Sequence, residues 1–207
     1  MLEKGGGKAR SAVLVSGGGT NLQALIDAEK SGIIRSGEIV LVISNKAGAY
    51  ALERAAKAGI KAETVLLKEA GTQEAFEERI LKLLDENSID LIVMAGFMSI
   101  LSGSFTNRYP DRIINIHPSL IPSFCGKGFY GLHVHEAALE YGVKVTGATV
   151  HFVNEIPDGG RIIFQKAVEI KEGDTPEILQ KRVMAEAEHK LLPEAAEYVS
   201  KKIMGEK

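Results

Sequence analysis

The residues best suited to chemistry lie in Asn115-Ile116-His117-Pro118-Ser119-Leu120-Ile121-Pro122. Arg112-Ile113-Ile114 leads into this stretch as a buried strand. Strand residues two apart share a face, so Asn115 and His117 point the same way. Pro118 cannot continue a central ladder, so the chain must leave the sheet there. An amide donor beside a titratable ring, at the carboxyl end of a strand, suits a reaction that develops negative charge on an oxygen. A capped strand end with a satisfied histidine is the plainer alternative.

A second candidate is Ser16-Gly17-Gly18-Gly19-Thr20-Asn21, between an apolar run and an amphipathic helix. Glycines leave backbone N–H groups unobstructed, and a helix start adds unpaired donors and partial positive charge, which together favour an anion such as phosphate. Leu22 stands where a dinucleotide fingerprint needs its last glycine, and no Lys-Ser/Thr follows, so neither that fingerprint nor a P-loop is present. A plain tight turn remains the alternative. Gly96-Phe97-Met98-Ser99-Ile100-Leu101 follows another strand and could wall a planar ligand. Asp158-Gly159-Gly160 reads alone as turn chemistry, and more sharply as a carboxylate delivered to His117, which would raise the histidine pKa. His151 alternates with Thr149 inside a strand and reads first as a core histidine, on a face that could border the site. His133 and His135 flank a helix start without a third metal ligand in register. Cys125, the only cysteine, excludes an internal disulfide and carries no mark of activation.

These groups need elements to hold them. Strand-like runs at 12–15, 38–43, 64–67, 90–95 and 112–115 alternate with helical patterns starting at Asn21, over 49–58 and over 73–86. That rhythm predicts an α/β fold with a doubly wound, mainly parallel sheet and helices on both faces. Segments 144–153 and 161–170 are strands too close for a helical crossover, so they are expected to be antiparallel. A helix over 133–141 precedes them, and one over 175–200, interrupted near Pro193, closes the chain. Residues 1–10 read as a flexible polar leader and 11–207 as one domain.

Composition narrows the partners. The 207 residues carry a formal net charge of -2, with 45% hydrophobic and 25% charged residues, which fits a soluble globular protein without a field for nucleic acid. No segment suits a membrane span or a signal peptide, so cytoplasm is the expected compartment.

Ser16 to Gln23, Ser44-Asn45-Lys46, Ala95 to Leu101, Asn115 to Pro122, His151-Phe152-Val153, Asp158-Gly159-Gly160 and Gly173-Asp174-Thr175 occur together in this order. In that combination the chain resembles the folate-dependent formyltransferases over nearly all of its length after the leader. The glycine-rich block points to their phosphoribosylglycinamide formyltransferase (glycinamide ribonucleotide transformylase) branch. The resemblance implies transfer of a formyl group from 10-formyltetrahydrofolate to the amine of 5'-phosphoribosylglycinamide in purine biosynthesis, without a metal. It implies that Asn115, His117 and Asp158 are catalytic. Gly19, Thr20 and Asn21 would hold the ribonucleotide phosphate, with Glu188 near the ribonucleotide. Gln73, Met98, Ser99, Ile100, Leu101 and Asn115 would meet the folate. Many relatives carry Arg in place of Ser99 and a basic residue in place of Gln73, so charge contacts to the folate tail would be lost while backbone contacts remain. The expected partners are these two small molecules, with no nucleic acid or membrane, and a homodimer is left open. Two other readings also stay open: formyl transfer or hydrolysis on a different acceptor, and a phosphate-binding module with a degenerate folate pocket.

Overall fold

The structure is a computed structural model that describes residues 7–205. Seven strands form one sheet: β1 (Ala9–Val15), β2 (Gly37–Ser44), β3 (Lys61–Thr64), β4 (Leu91–Met94), β5 (Ile113–His117), β6 (Val145–Phe152) and β7 (Ile162–Glu169). Their order is β3-β2-β1-β4-β5-β6-β7. The first five are parallel, whereas β6 runs antiparallel to β5 and β7 antiparallel to β6. The expected fold class, antiparallel pair included, is the one observed. Strand order reverses beside β1, so the carboxyl ends of β1 and β4 flank the crevice where such sheets bind ligands.

Helices α1 (Thr20–Lys30), α2 (Tyr50–Lys57), α3 (Leu67–Ala70), α4 (Gln73–Glu86), α5 (Gly103–Thr106), α6 (Leu132–Tyr141), α7 (Pro176–Val183) and α8 (His189–Met204) surround the sheet. Strand alternation separates two cores. Val13, Val15, Val42, Leu91, Val93 and Ile114 pack with α1, α2, α7 and α8. Ala12, Leu14, Leu41, Ile43, Ile92 and Ile113 face the other way, onto Phe76, Ile80 and Leu84 of α4.

Three expectations shift. β1 begins at Ala9, which is fully buried, so ordered structure starts inside the expected leader; residues 1–6 lie outside the described residues. β3 occupies 61–64 rather than 64–67, because it is an edge strand set by pairing to Leu41–Ser44, while Val65 drops into the core. The closing helix does not break at Pro193. The irregular turn is a π turn at Met184–Glu188, where the His189 N–H reaches back five residues to the Met184 carbonyl. This wide turn ends at Glu188, five residues before Pro193, and α8 runs on through the proline.

Candidate active site

The antiparallel register puts Asn115 opposite His151 and His117 opposite Thr149, all on one face of the β5–β6 pair. The turn after β6 brings Asp158 under that face. Its carboxylate lies 3.5 Å from Nδ1 of His117 and 3.5 Å from Nε2 of His151, and accepts the Gly126 N–H at 2.8 Å. Asp158 sits at φ 55°, in the left-handed region. Gly160 closes the turn against β6, where a Cβ would come 1.7 Å from the Phe152 carbonyl oxygen. Asp158 is thus a delivered carboxylate and not only a turn residue.

The partners fix the proton positions. A carbonyl only accepts, so His117 Nε2–H donates to the Phe124 carbonyl at 2.8 Å and His151 Nδ1–H to the Phe152 carbonyl at 2.8 Å. The other ring nitrogens both turn toward Asp158. Asn115 donates one amide hydrogen to His151 Nε2 at 3.2 Å. Burial pushes the His117 pKa below its ordinary value, outweighing the nearby Asp158 charge, so the expected rise does not occur. Burial also opposes ionisation of Asp158, but the His151 and His117 imidazoles and the Gly126 N–H bring its pKa below the usual carboxylate value. His151, read from sequence as a core histidine, belongs to this cluster. Two sequence signals point here, its shared face with Thr149 and its place in the His151-Phe152-Val153 block of the resemblance, but the register that sets it opposite Asn115 is tertiary.

A cavity of about 560 Å³ opens above this cluster. Asn115, His117, His151 and Asp158 line one side; Met94, Phe97, Met98, Ser99, Ile100 and Leu101 line the other, with Gly126 to Gly131 over them. Side-chain bonds hold the 96–102 loop. Ser16 Oγ accepts the Met98 N–H at 2.8 Å, Asn45 donates to Ser99 Oγ at 2.8 Å, and Gln73 donates to the Ile100 carbonyl at 3.1 Å. Gln73 therefore braces the loop from beneath and is not among the cavity's lining residues.

Gly19, Thr20, Asn21 and Glu188 form a separate group at the carboxyl end of β1. Gly19 caps α1 at φ 71°. The Asn21 side chain does not face the loop: its amide donates to the buried Glu188 at 2.7 Å. Burial raises the Glu188 pKa to about 7, against the lowering effect of that bond. The Asn21 side chain, expected at the phosphate, is thus engaged with Glu188 instead. His133 and His135 point apart. His133 is exposed and pairs with Glu136, whereas His135 is buried, with a pKa lowered to about 4 by burial and by the His117 charge. Among the described residues no three His, Cys, Asp or Glu side chains gather as a metal site, and no helix is long and apolar enough to cross a membrane.

Residues 9–196 match the Formyl transferase family. The chain is 42% identical over 181 residues to the phosphoribosylglycinamide formyltransferase of Escherichia coli (strain K12), covering 87% of this chain and 82% of that one. It is 49% identical to part of the trifunctional purine biosynthetic protein adenosine-3 of Gallus gallus, covering 93% of this chain but only 18% of that protein's length. Among solved structures, glycinamide ribonucleotide transformylase 1 of Symbiobacterium toebii superposes with a TM-score of 0.89 at 42% identity, covering 98% of this chain and 92% of that one.

Proposed function

The chain belongs to the formyl transferase family, and on that premise we propose that it moves the formyl group of 10-formyltetrahydrofolate onto the amine of 5'-phosphoribosylglycinamide, as a cytoplasmic step of purine synthesis. The observation that carries this reading is the convergence of Asn115, His117 and His151 on the Asp158 carboxylate at the foot of one cavity. The cavity fits a folate in size and chemistry: apolar walls from Met94, Phe97, Met98 and Ile100, with a few polar groups at one end. The glycine loop beside it suits a phosphate.

The residues divide the work. Attack by a neutral amine on the formyl carbon puts negative charge on the former carbonyl oxygen. Asn115 keeps its second amide hydrogen for that oxygen, a kind of contact whose loss typically costs ~10²–10³ in turnover. The attacking nitrogen must then shed a proton. His117 presents an unprotonated Nδ1 beside Asp158, so a proton arriving there forms an imidazolium held by the Phe124 carbonyl on one side and the carboxylate on the other. His151 Nε2 also lies 3.5 Å from this carboxylate, but it is engaged by the Asn115 amide and holds that side chain in place. Burial keeps His117 neutral at rest, and Asp158 stabilises its charge only once the proton moves. The proton finally leaves on the folate nitrogen that loses the formyl group. Fixed donors stabilise the oxygen, so the reading calls for no metal.

Tetrahydrofolate release, followed with and without the ribonucleotide, tests this. Release that depends on the ribonucleotide and yields formylated product is expected. Release at the same rate without it would make the protein a hydrolase and end the reading.

A further inference from the structure

Three successive carbonyls of the glycine loop are held from behind. The Ala51 N–H donates to the Gly17 carbonyl at 3.1 Å, Arg54 Nε to the Gly18 carbonyl at 2.8 Å, and the Gln23 N–H to the Gly19 carbonyl at 2.9 Å. In a planar trans peptide the N–H points opposite to the C=O. The N–H groups of Gly18, Gly19 and Thr20 therefore face away from these anchors, and among the described residues none of the three donates a hydrogen bond. Two anchors belong to α2. The loop packs directly on that helix, since a Cβ on Gly19 would come 2.7 Å from the Ala51 Cβ.

Arg54 is the one side chain among the three anchors, and it is itself braced. Its Nη1 donates to Gln23 Oε1 at 3.1 Å, and its guanidinium lies 4.9 Å from the ring centre of Tyr50. One planar fork thus ties the middle peptide of the loop to α1 and rests on an aromatic face of α2. A lysine ammonium on a flexible stem cannot reproduce that two-point hold.

We propose that Arg54 is a positioning residue that fixes the Gly18–Gly19 peptide so that three backbone donors converge on the phosphate of the substrate before it arrives. The inference rests on the proposed reading of this loop as the phosphate subsite. It requires no contact between Arg54 and the ligand: removing the fork frees the middle peptide to rotate, and one donor of the three is lost.

Titration calorimetry on wild type, Arg54→Met and Arg54→Lys, with ribose 5-phosphate, the glycinamide ribonucleotide and tetrahydrofolate, tests it. Arg54→Met is expected to bind both phosphate ligands about tenfold more weakly, the scale of one lost charge-assisted hydrogen bond. Arg54→Lys is expected to recover little of that loss. Tetrahydrofolate affinity and kcat at saturating substrates should stay near wild type, a split between KM and kcat that general loosening would not give. Unchanged phosphate affinity in Arg54→Met, or full recovery in Arg54→Lys (an effect of charge alone), overturns the proposal. If Arg54→Met does not fold by circular dichroism, Arg54→Lys carries the test by the same criterion. Wild type that binds ribose 5-phosphate but not the ribonucleotide would sink the proposed substrate, while the variants would still decide the role of Arg54. Wild type that binds neither phosphate ligand overturns both.

Discussion

Two nearly inaccessible imidazoles share one carboxylate, and each has already given its ring hydrogen to a backbone carbonyl. His117→Ala and Asp158→Asn should each lower kcat by ~10²–10³ and leave ribonucleotide affinity within a few-fold, because the proposed phosphate loop is built elsewhere. Steady-state kinetics with calorimetry would show this. Glu188 gives a second expectation. Its pKa rises from 4.5 to about 7 on folding. The stability contributed by the protonated form is full below about pH 4.5 and is lost as pH rises through about 7. The difference approaches roughly 3 kcal/mol at the alkaline end. Glu188→Gln should flatten the fall in melting temperature between pH 5 and pH 8, because it keeps an acceptor for Asn21 without a charge to bury. At this scale the sequence disclosed Asn115 and His117, whose spacing on one strand is local. It hid His151 and the Asn21–Glu188 bond, because their partners are 36 and 167 residues away.

Elements carry the site through their ends. The turn from β6 to β7 delivers Asp158 only because Gly160 has no side chain where the Phe152 carbonyl stands. Gly160→Ala should therefore displace the turn and lower turnover along with stability, by about 1–3 kcal/mol on the scale of overpacking. Urea unfolding and kinetics on the same variant would measure both losses. Helices and central strands were legible, since apolar periodicity and unbroken apolar runs are written locally. The edge strand β3 lies at Lys61–Thr64 rather than at 64–67 because its polar residues carry no such pattern and only pairing to β2 defines it. The proline in the last helix points likewise to a break at Pro193, while the π turn at Met184–Glu188 leaves no mark in composition.

The whole molecule is a sheet with two separate cores. Leu84 and Leu192 are fully buried in different ones. Leu84→Ala and Leu192→Ala should each cost about 2–5 kcal/mol, and the double variant should lose close to the sum, because neither residue shares partners with the other. Chemical denaturation of the four proteins closes that cycle. The parallel architecture is legible in the alternation of strand and helix patterns, and its antiparallel margin in one short connection. The meeting of the ends of β4, β5 and β6 around one cavity did not, because strand order is decided by packing across the entire chain.

Cys125 sits between Phe124, whose carbonyl receives the His117 hydrogen, and Gly126, whose N–H reaches Asp158. The only thiol in the chain is thereby wired into the clip that aligns the proposed catalytic groups, and burial with the nearby Asp158 charge raises its pKa above the ordinary thiol value. A slow disulfide reagent becomes a built-in gauge of that clip. Its labelling rate should fall when the cavity is filled and rise in Asp158→Asn, reporting closure without any added dye.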